Sequence, residues 1–204
     1  MPTTPSLRPG GRSARVQAAV HAAVHALIAS HGREALTLPL IAARAGVTPS
    51  TLYRRWGDLA ALLADVSVER MRPDAPPADT GSFRGDLRAW AEQYHEEMGS
   101  DVGRGMLHDV LSAAPVGGGP SCQCAIFTEA QIAAIVARAA ARGEPVPAPR
   151  AVVEAVVAPL LYRQLFGPAP ATPADVARWV DGCVARAAPA DGTADGPVSS
   201  ERPS

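Results

Sequence analysis

The chain has 204 residues, of which 47% are hydrophobic and 4% aromatic. That length admits one domain or two small ones with a sizeable core, and the alanine- and valine-rich composition favours helices over sheets. The formal net charge of −1 conceals an asymmetry: residues 1–72 hold nine Arg against Glu34, Asp58, Asp65 and Glu69, whereas residues 73–204 hold ten Arg against sixteen acids. A basic first third and an acidic remainder fit a DNA-facing module joined to one that avoids DNA. The chain contains no Lys, so every basic side-chain contact at neutral pH falls to Arg. No run reads as long and apolar enough to cross a membrane, and the first residues lack the apolar core of an export signal. Three cysteines argue against a disulfide framework and for a reducing cytoplasm.

In chain order, residues 1–11 are rich in Pro, Gly and Thr and are expected to be disordered. Arg8, with Arg12 and Arg15 just beyond, belongs either to a loose basic arm or to a solvated tail. A helix is expected over 12–31, with Val16, Val20, Ala23, Val24 and Leu27 as its buried stripe and Gly32 at its end. His21 and His25 have an i, i+4 spacing that suits a metal. No Cys, Asp or Glu stands nearby to complete a site, so no metal is expected. Residues 37–56, TLPLIAARAGVTPSTLYRRW, read as two short helices around a tight turn. Leu38, Ile41, Ala42 and Ala45 share one face, Thr37 suits the N-cap, and Gly46 suits the left-handed end. Thr48 caps the second helix, Pro49 takes its first position, and Leu52, Tyr53 and Trp56 anchor it.

The outward face of that second helix is Ser50, Thr51, Arg54 and Arg55, with Tyr53 at its flank. Small hydroxyls allow close approach to a phosphate backbone, and Arg meets phosphate or a guanine edge. The pattern is that of a helix-turn-helix, or of two packed helices in some other small bundle. The stretch IAARAGVTPSTLYRRWGDLAALLADV resembles the DNA-binding domain of the TetR family of transcriptional regulators, over about residues 12–70. That resemblance implies DNA contacts from Thr37, Thr48, Ser50, Thr51 and Tyr53; with Arg54 and Arg55 of the outward face, and with Arg44 and Pro49, they make up the candidate DNA-binding set. It also marks one departure: Leu59 stands where the family usually carries Lys, so a phosphate contact there falls to the backbone N–H alone.

Asp58 should cap a helix from Leu59 to about Met71, with Leu62, Leu63 and Val66 inward. Residues 73–81, PDAPPADTG, form a linker. Further helices are expected over 82–98, 102–113, 122–142, 150–166 and 173–187, and a disordered tail over 189–204. The fold class is therefore all-α with about nine helices. It comprises a three-helix helix-turn-helix domain over 12–71 and a helical ligand-binding and dimerisation domain over 82–188. The phrase ARGEP followed by VVAPLLYRQLFG also resembles the C-terminal domain of a TetR subgroup, whose last two long helices form a dimer interface.

By that analogy the second domain holds a pocket for a small, mostly apolar effector, walled by 83–111, 122–142 and 150–166. Its candidate lining is Trp90, Tyr94, Met98, Met106, Phe127, Tyr162, Arg163 and Phe166, with Arg163 and His108 orienting the ligand; any single large side chain reads more readily as core. The interface candidates are Val153, Val156, Val157, Leu160, Leu161, Val176, Val180 and Val184, because two adjacent apolar rows exceed what one partner helix covers. Val157→Arg or Leu161→Arg is expected to give a monomer. Pro159 should bend its helix. Cys122 and Cys124 at a helix start could make a thiol sensor. No phosphate-binding glycine loop, G-x-S-x-G or H-E-x-x-H occurs, so neither an enzyme nor a cofactor is expected. The expected protein is a cytoplasmic homodimeric repressor that binds operator DNA and is released by an effector. The alternatives are a helical interaction or enzymatic module that has lost DNA binding, and a redox sensor.

Overall fold

The computed structural model describes residues 11–113 and 120–187, apart from the side chains of Arg12 and of residues 120–122. Arg8 of the expected basic arm, the loop at 114–119, the tail beyond 187 and the Cys122 thiol lie outside the described residues, whereas Arg12 and Arg15 belong to the first helix, Gly11–His31, where Arg15 Nε donates to Gly11 O at 3.0 Å. Every described element is a helix or a turn, and no strand occurs among them. The chain forms two compact units.

The first unit contains α1 (Gly11–His31), a 3-10 turn (Arg33–Ala35), α2 (Leu38–Ala45), α3 (Pro49–Trp56), α4 (Leu59–Arg70), α6 (Asp101–Ala113) and the start of α7 (Pro120–Ala141). Its core is Val20 and Val24 of α1, Ile41 of α2, Leu52 of α3 and Leu62 of α4, all fully buried. The linker divides the sequence at 73–81, but packing places α6 with α4. The α6 carboxylate of Asp109 is buried; it accepts from Ser67 Oγ of α4 at 2.7 Å and pairs with Arg33 of the 3-10 turn. A buried carboxylate requires such partners.

The second unit contains α5 (Phe83–Gly99), the rest of α7, α8 (Pro149–Val152), a π-helical turn (Val153–Val157), α9 (Ala158–Phe166) and α10 (Pro173–Ala187). Counting the continuous run α8–π–α9 as one helix gives nine among the described residues. Phe83, Leu87, Ile132, Ile135, Val152, Val156, Leu160, Val176 and Val180 form its core. The π turn is where Pro159 makes itself felt. Ala158 N–H donates to Val153 O, five residues back, immediately before the position that has no N–H to offer. A one-turn widening re-registers the ladder around the missing donor.

One composition reading needs correction. Gln123–Ala141 of α7 is apolar and long enough, by length and composition, to cross a membrane. Alanine, isoleucine and valine supply that character, and Ile132, Ile135, Val136 and Ala139 face the second core. Within it, Arg138 belongs to a polar clamp. Asp86, with no exposed surface, accepts from Thr80 N, Thr80 Oγ1, Arg138 and Arg142, and Arg138 also donates to Pro77 O and Ala78 O. The clamp fixes the linker to α7 and α5.

Candidate nucleic-acid interface

The helix-turn-helix is built from local rules that the sequence states. Thr37 Oγ1 accepts from Leu40 N at 3.3 Å at the start of α2. Gly46 ends α2 with φ 68°, ψ 31°, a conformation that costs a side-chain-bearing residue about 1 kcal/mol or more. Val47 N–H then returns to Ala42 O at 3.0 Å, closing the turn. Pro49 opens α3, Gly57 ends it with φ 83°, and Asp58 Oδ1 caps α4 by accepting from Ala61 N at 2.8 Å. Thr48 differs from expectation. It holds the N-cap position with no side-chain cap bond; its Oγ1 contacts Ser50 Oγ at 2.9 Å and Thr51 Oγ1 at 3.0 Å instead. The three hydroxyls form a small exposed cluster at the head of α3.

Leu52 turns α3 inward with no exposed surface, and Trp56 is half-buried beside it. Thr37, Arg44, Thr48, Pro49, Ser50, Tyr53, Arg54 and Arg55 are exposed, and Thr51 is half-buried. Tyr53 is 54% exposed, with its ring outside the core. Leu59 packs against the first core at the start of α4 and adds no charge there.

Arg55 has different company from Arg54. Its Nη1 donates to Ser13 O at 3.0 Å and Ser13 Oγ at 2.9 Å, its Nη2 donates to Gln17 Oε1 at 2.7 Å, and its guanidinium lies 5.0 Å from the Trp56 ring centroid. Behind it, Asp65 Oδ2 of α4 meets Gln17 Nε2 at 3.1 Å, His21 Nε2 at 2.9 Å and Trp56 Nε1 at 2.9 Å. Burial pushes the Asp65 carboxyl up, and the bonds from His21 and Trp56 with the charge of nearby Arg55 bring it below its ordinary value. Ser13, Gln17 and Asp65 are not among the residues that the sequence singled out. A signal existed: Ser13, Gln17 and His21 repeat at i, i+4 along α1, and a half-buried Trp N–H needs an acceptor.

The other candidates fall in both units. Trp90 and Tyr94 stack on α5 with centroids 5.0 Å apart and pack against the second core, and Met98 near the end of α5 is buried. Met106 and Phe127 are half-buried in the first unit, with the Arg72 guanidinium 5.0 Å from the Phe127 ring centroid. Tyr162 and Phe166 are 63% and 72% exposed on α9, with rings 5.7 Å apart. Arg163 lies 3.8 Å from Asp175 and donates to Ala169 O, and His108 is exposed near Ser112. Of the interface candidates, Val156, Val157, Leu160, Val176 and Val180 are buried within the chain itself, and Val156 and Leu160 of the 150–166 helix join Val176 and Val180 in the second core. Val153, Leu161 and Val184 remain half-buried. The Cys124 thiol contacts Met71 Sδ at 3.3 Å, and burial pushes its pKa up to about 11, opposite to what a reactive thiolate requires.

A short helix carrying hydroxyls, a phenol and a guanidinium outward, held behind a glycine turn, has the architecture of a helix-turn-helix. Residues 20–66 match the family model described as bacterial regulatory proteins, tetR family, and residues 77–183 match the tetracyclin repressor-like C-terminal domain. The chain belongs to the TetR family. It is 37% identical over 73 residues to an uncharacterized HTH-type transcriptional regulator of Mycobacterium tuberculosis, covering 36% of each chain. It is 30% identical over 103 residues to the HTH-type transcriptional regulator AqdR of Rhodococcus erythropolis, covering 50% of each. The match thus spans half or less of these relatives' length. Among solved structures, the TetR family transcription regulator SCO0332 shares the fold with a TM-score of 0.61 at 24% identity, over 86% of this chain and all of that one. A TetR-family regulator of Mesorhizobium loti shares it with a TM-score of 0.56 at 16% identity, over 87% and 97%.

Proposed function

We propose that this protein is a cytoplasmic homodimeric repressor that binds operator DNA through α3 and is released by a small, mostly apolar effector. The exposed face of α3 carries the reading: Ser50, Tyr53 and Arg54 project away from Leu52, where they can meet base edges and phosphates. Two such helices, one from each protomer, would enter successive major grooves about 34–36 Å apart. The effector is expected to meet the aromatic and thioether side chains of α5, and to act by binding the DNA-free conformation more tightly. The test is an electrophoretic shift with DNA flanking its own gene, in a salt series. Binding that weakens steeply with salt supports the reading, and the absence of any shift overturns it. For the effector, Trp90→Ala should change the response to a released ligand more than the basal DNA affinity. Equal effects on both would remove Trp90 from the effector site.

A further inference from the structure

The α3 helix is eight residues long and has a single fully buried anchor, Leu52. Half-buried Trp56 packs on the same side, about 40° round from Leu52, so the two set the distance of this short helix from the core but hold its roll less tightly than a third contact on the opposite flank would. That roll decides where Tyr53 and Arg54 point. At about 100° per residue, Arg54 lies roughly 160° from Leu52, whereas Arg55 lies only about 60° from it. Arg54 is thus at the centre of the outward face, and Arg55 is on the flank turned towards α1. The Arg55 guanidinium already has three acceptors there, Ser13 O, Ser13 Oγ and Gln17 Oε1. Gln17 in turn donates to Asp65, which also accepts from Trp56, the residue after Arg55. A closed circuit therefore runs from α3 through α1 and α4 back to α3.

We propose that Arg55 is a positioning residue and not a phosphate contact: with Gln17 it sets the roll of α3, and so the aim of Tyr53 and Arg54 at DNA. The planar fork of Arg suits this task, because it reaches Ser13 and Gln17 with different nitrogens, which a Lys ammonium cannot reproduce. The inference rests on the DNA-binding reading of α3.

The experiment uses full-length protein and a duplex that the wild type selects from a random-sequence pool. Affinity is measured by fluorescence anisotropy across a sodium chloride series, well below the melting temperature of every variant. Arg55→Ala and Gln17→Ala should each weaken binding about tenfold, the size expected for removing hydrogen bonds to a charged group. The double variant should be no weaker than the weaker single, because both break one circuit. The slope of log affinity against log salt should match the wild type in all three, and Arg55→Lys should restore little. Arg54→Ala should instead flatten the slope by about 0.9 for each phosphate that is no longer neutralised. A flattened slope in Arg55→Ala, additive losses in the double variant, or wild-type affinity in Gln17→Ala would each overturn the positioning role. Wild-type affinity in Arg55→Ala with a lowered melting temperature would make the circuit a stability device only, and also overturn it. A wild type that selects no duplex defeats the DNA-binding reading itself, and the inference with it.

Discussion

Tyr53 is the side chain whose chemistry on α3 is most separable from its packing. Its ring is more than half exposed, so removing the hydroxyl leaves the core intact. Tyr53→Phe should weaken operator binding by about 1 kcal/mol, one hydrogen bond's worth, with an unchanged melting temperature; isothermal titration beside a thermal melt checks both. The outward face was legible because α3 is short and amphipathic, and its caps are spelled by Thr48, Pro49 and Gly57. What Arg55 does was not legible. Sequence shows two adjacent guanidiniums of equal charge, and only the rotation of about 100° between them sends one towards α1. The same holds for Thr48, whose cap position is readable although the direction of its hydroxyl is not.

The elements were legible to within a residue or two wherever a cap or breaker stands at the end, as Asp58 does for α4 and Gly46 for α2. The π turn was not, because a Pro159 in sequence announces a missing donor and not how the helix absorbs it. Nor was the Asp86 clamp, since nothing in DLRAW says that its carboxylate will meet Arg138 and Arg142 from a distant helix. Asp86→Ala would leave half-buried Arg138 and exposed Arg142 without their shared partner, and Thr80 without its acceptor, and should cost roughly 2 kcal/mol of stability by urea denaturation. Acid should act on the same unit. Burial pushes the Asp86 carboxyl up, but donors at Thr80, Arg142 and Arg138 hold it below its ordinary value. The Phe83 amide and Arg142 lower Glu144, and the Thr172 amide and hydroxyl with Arg178 lower Asp175 to about 2. Groups depressed on folding contribute stability above their unfolded values and lose it as pH falls through the folded ones. The second unit should therefore lose stability progressively from the ordinary carboxylate range down to about pH 2, as followed by far-UV circular dichroism. Stability that does not change over that range would contradict the clamp.

At the scale of the whole molecule, the central question is what covers the outer side of α9. Two rows of apolar residues run along 150–166, and sequence alone cannot say which row the chain keeps for itself. The structure assigns Val152, Val156 and Leu160 to its own core with Val176 and Val180, leaving Tyr162 and Phe166 outside beside half-buried Leu161. Two neighbouring aromatic side chains, at 63% and 72% exposure, are a surface that monomers rarely keep, and a two-fold axis would let each copy cover the other's. This changes which substitution tests the dimer. Val157→Arg would place a charge in the core and unfold the unit, so a monomer obtained that way would prove little. Phe166→Arg alters a side chain that lies mostly in solvent, so the fold should survive. The variant is expected to melt near the wild-type temperature, sediment as a monomer at micromolar concentration, and bind a two-half-site operator far more weakly than the wild type, because one recognition helix then binds without its partner. A Phe166→Arg protein that still sediments as a dimer would move the interface away from α9, and a wild type that sediments as a monomer would remove the paired-groove mechanism altogether.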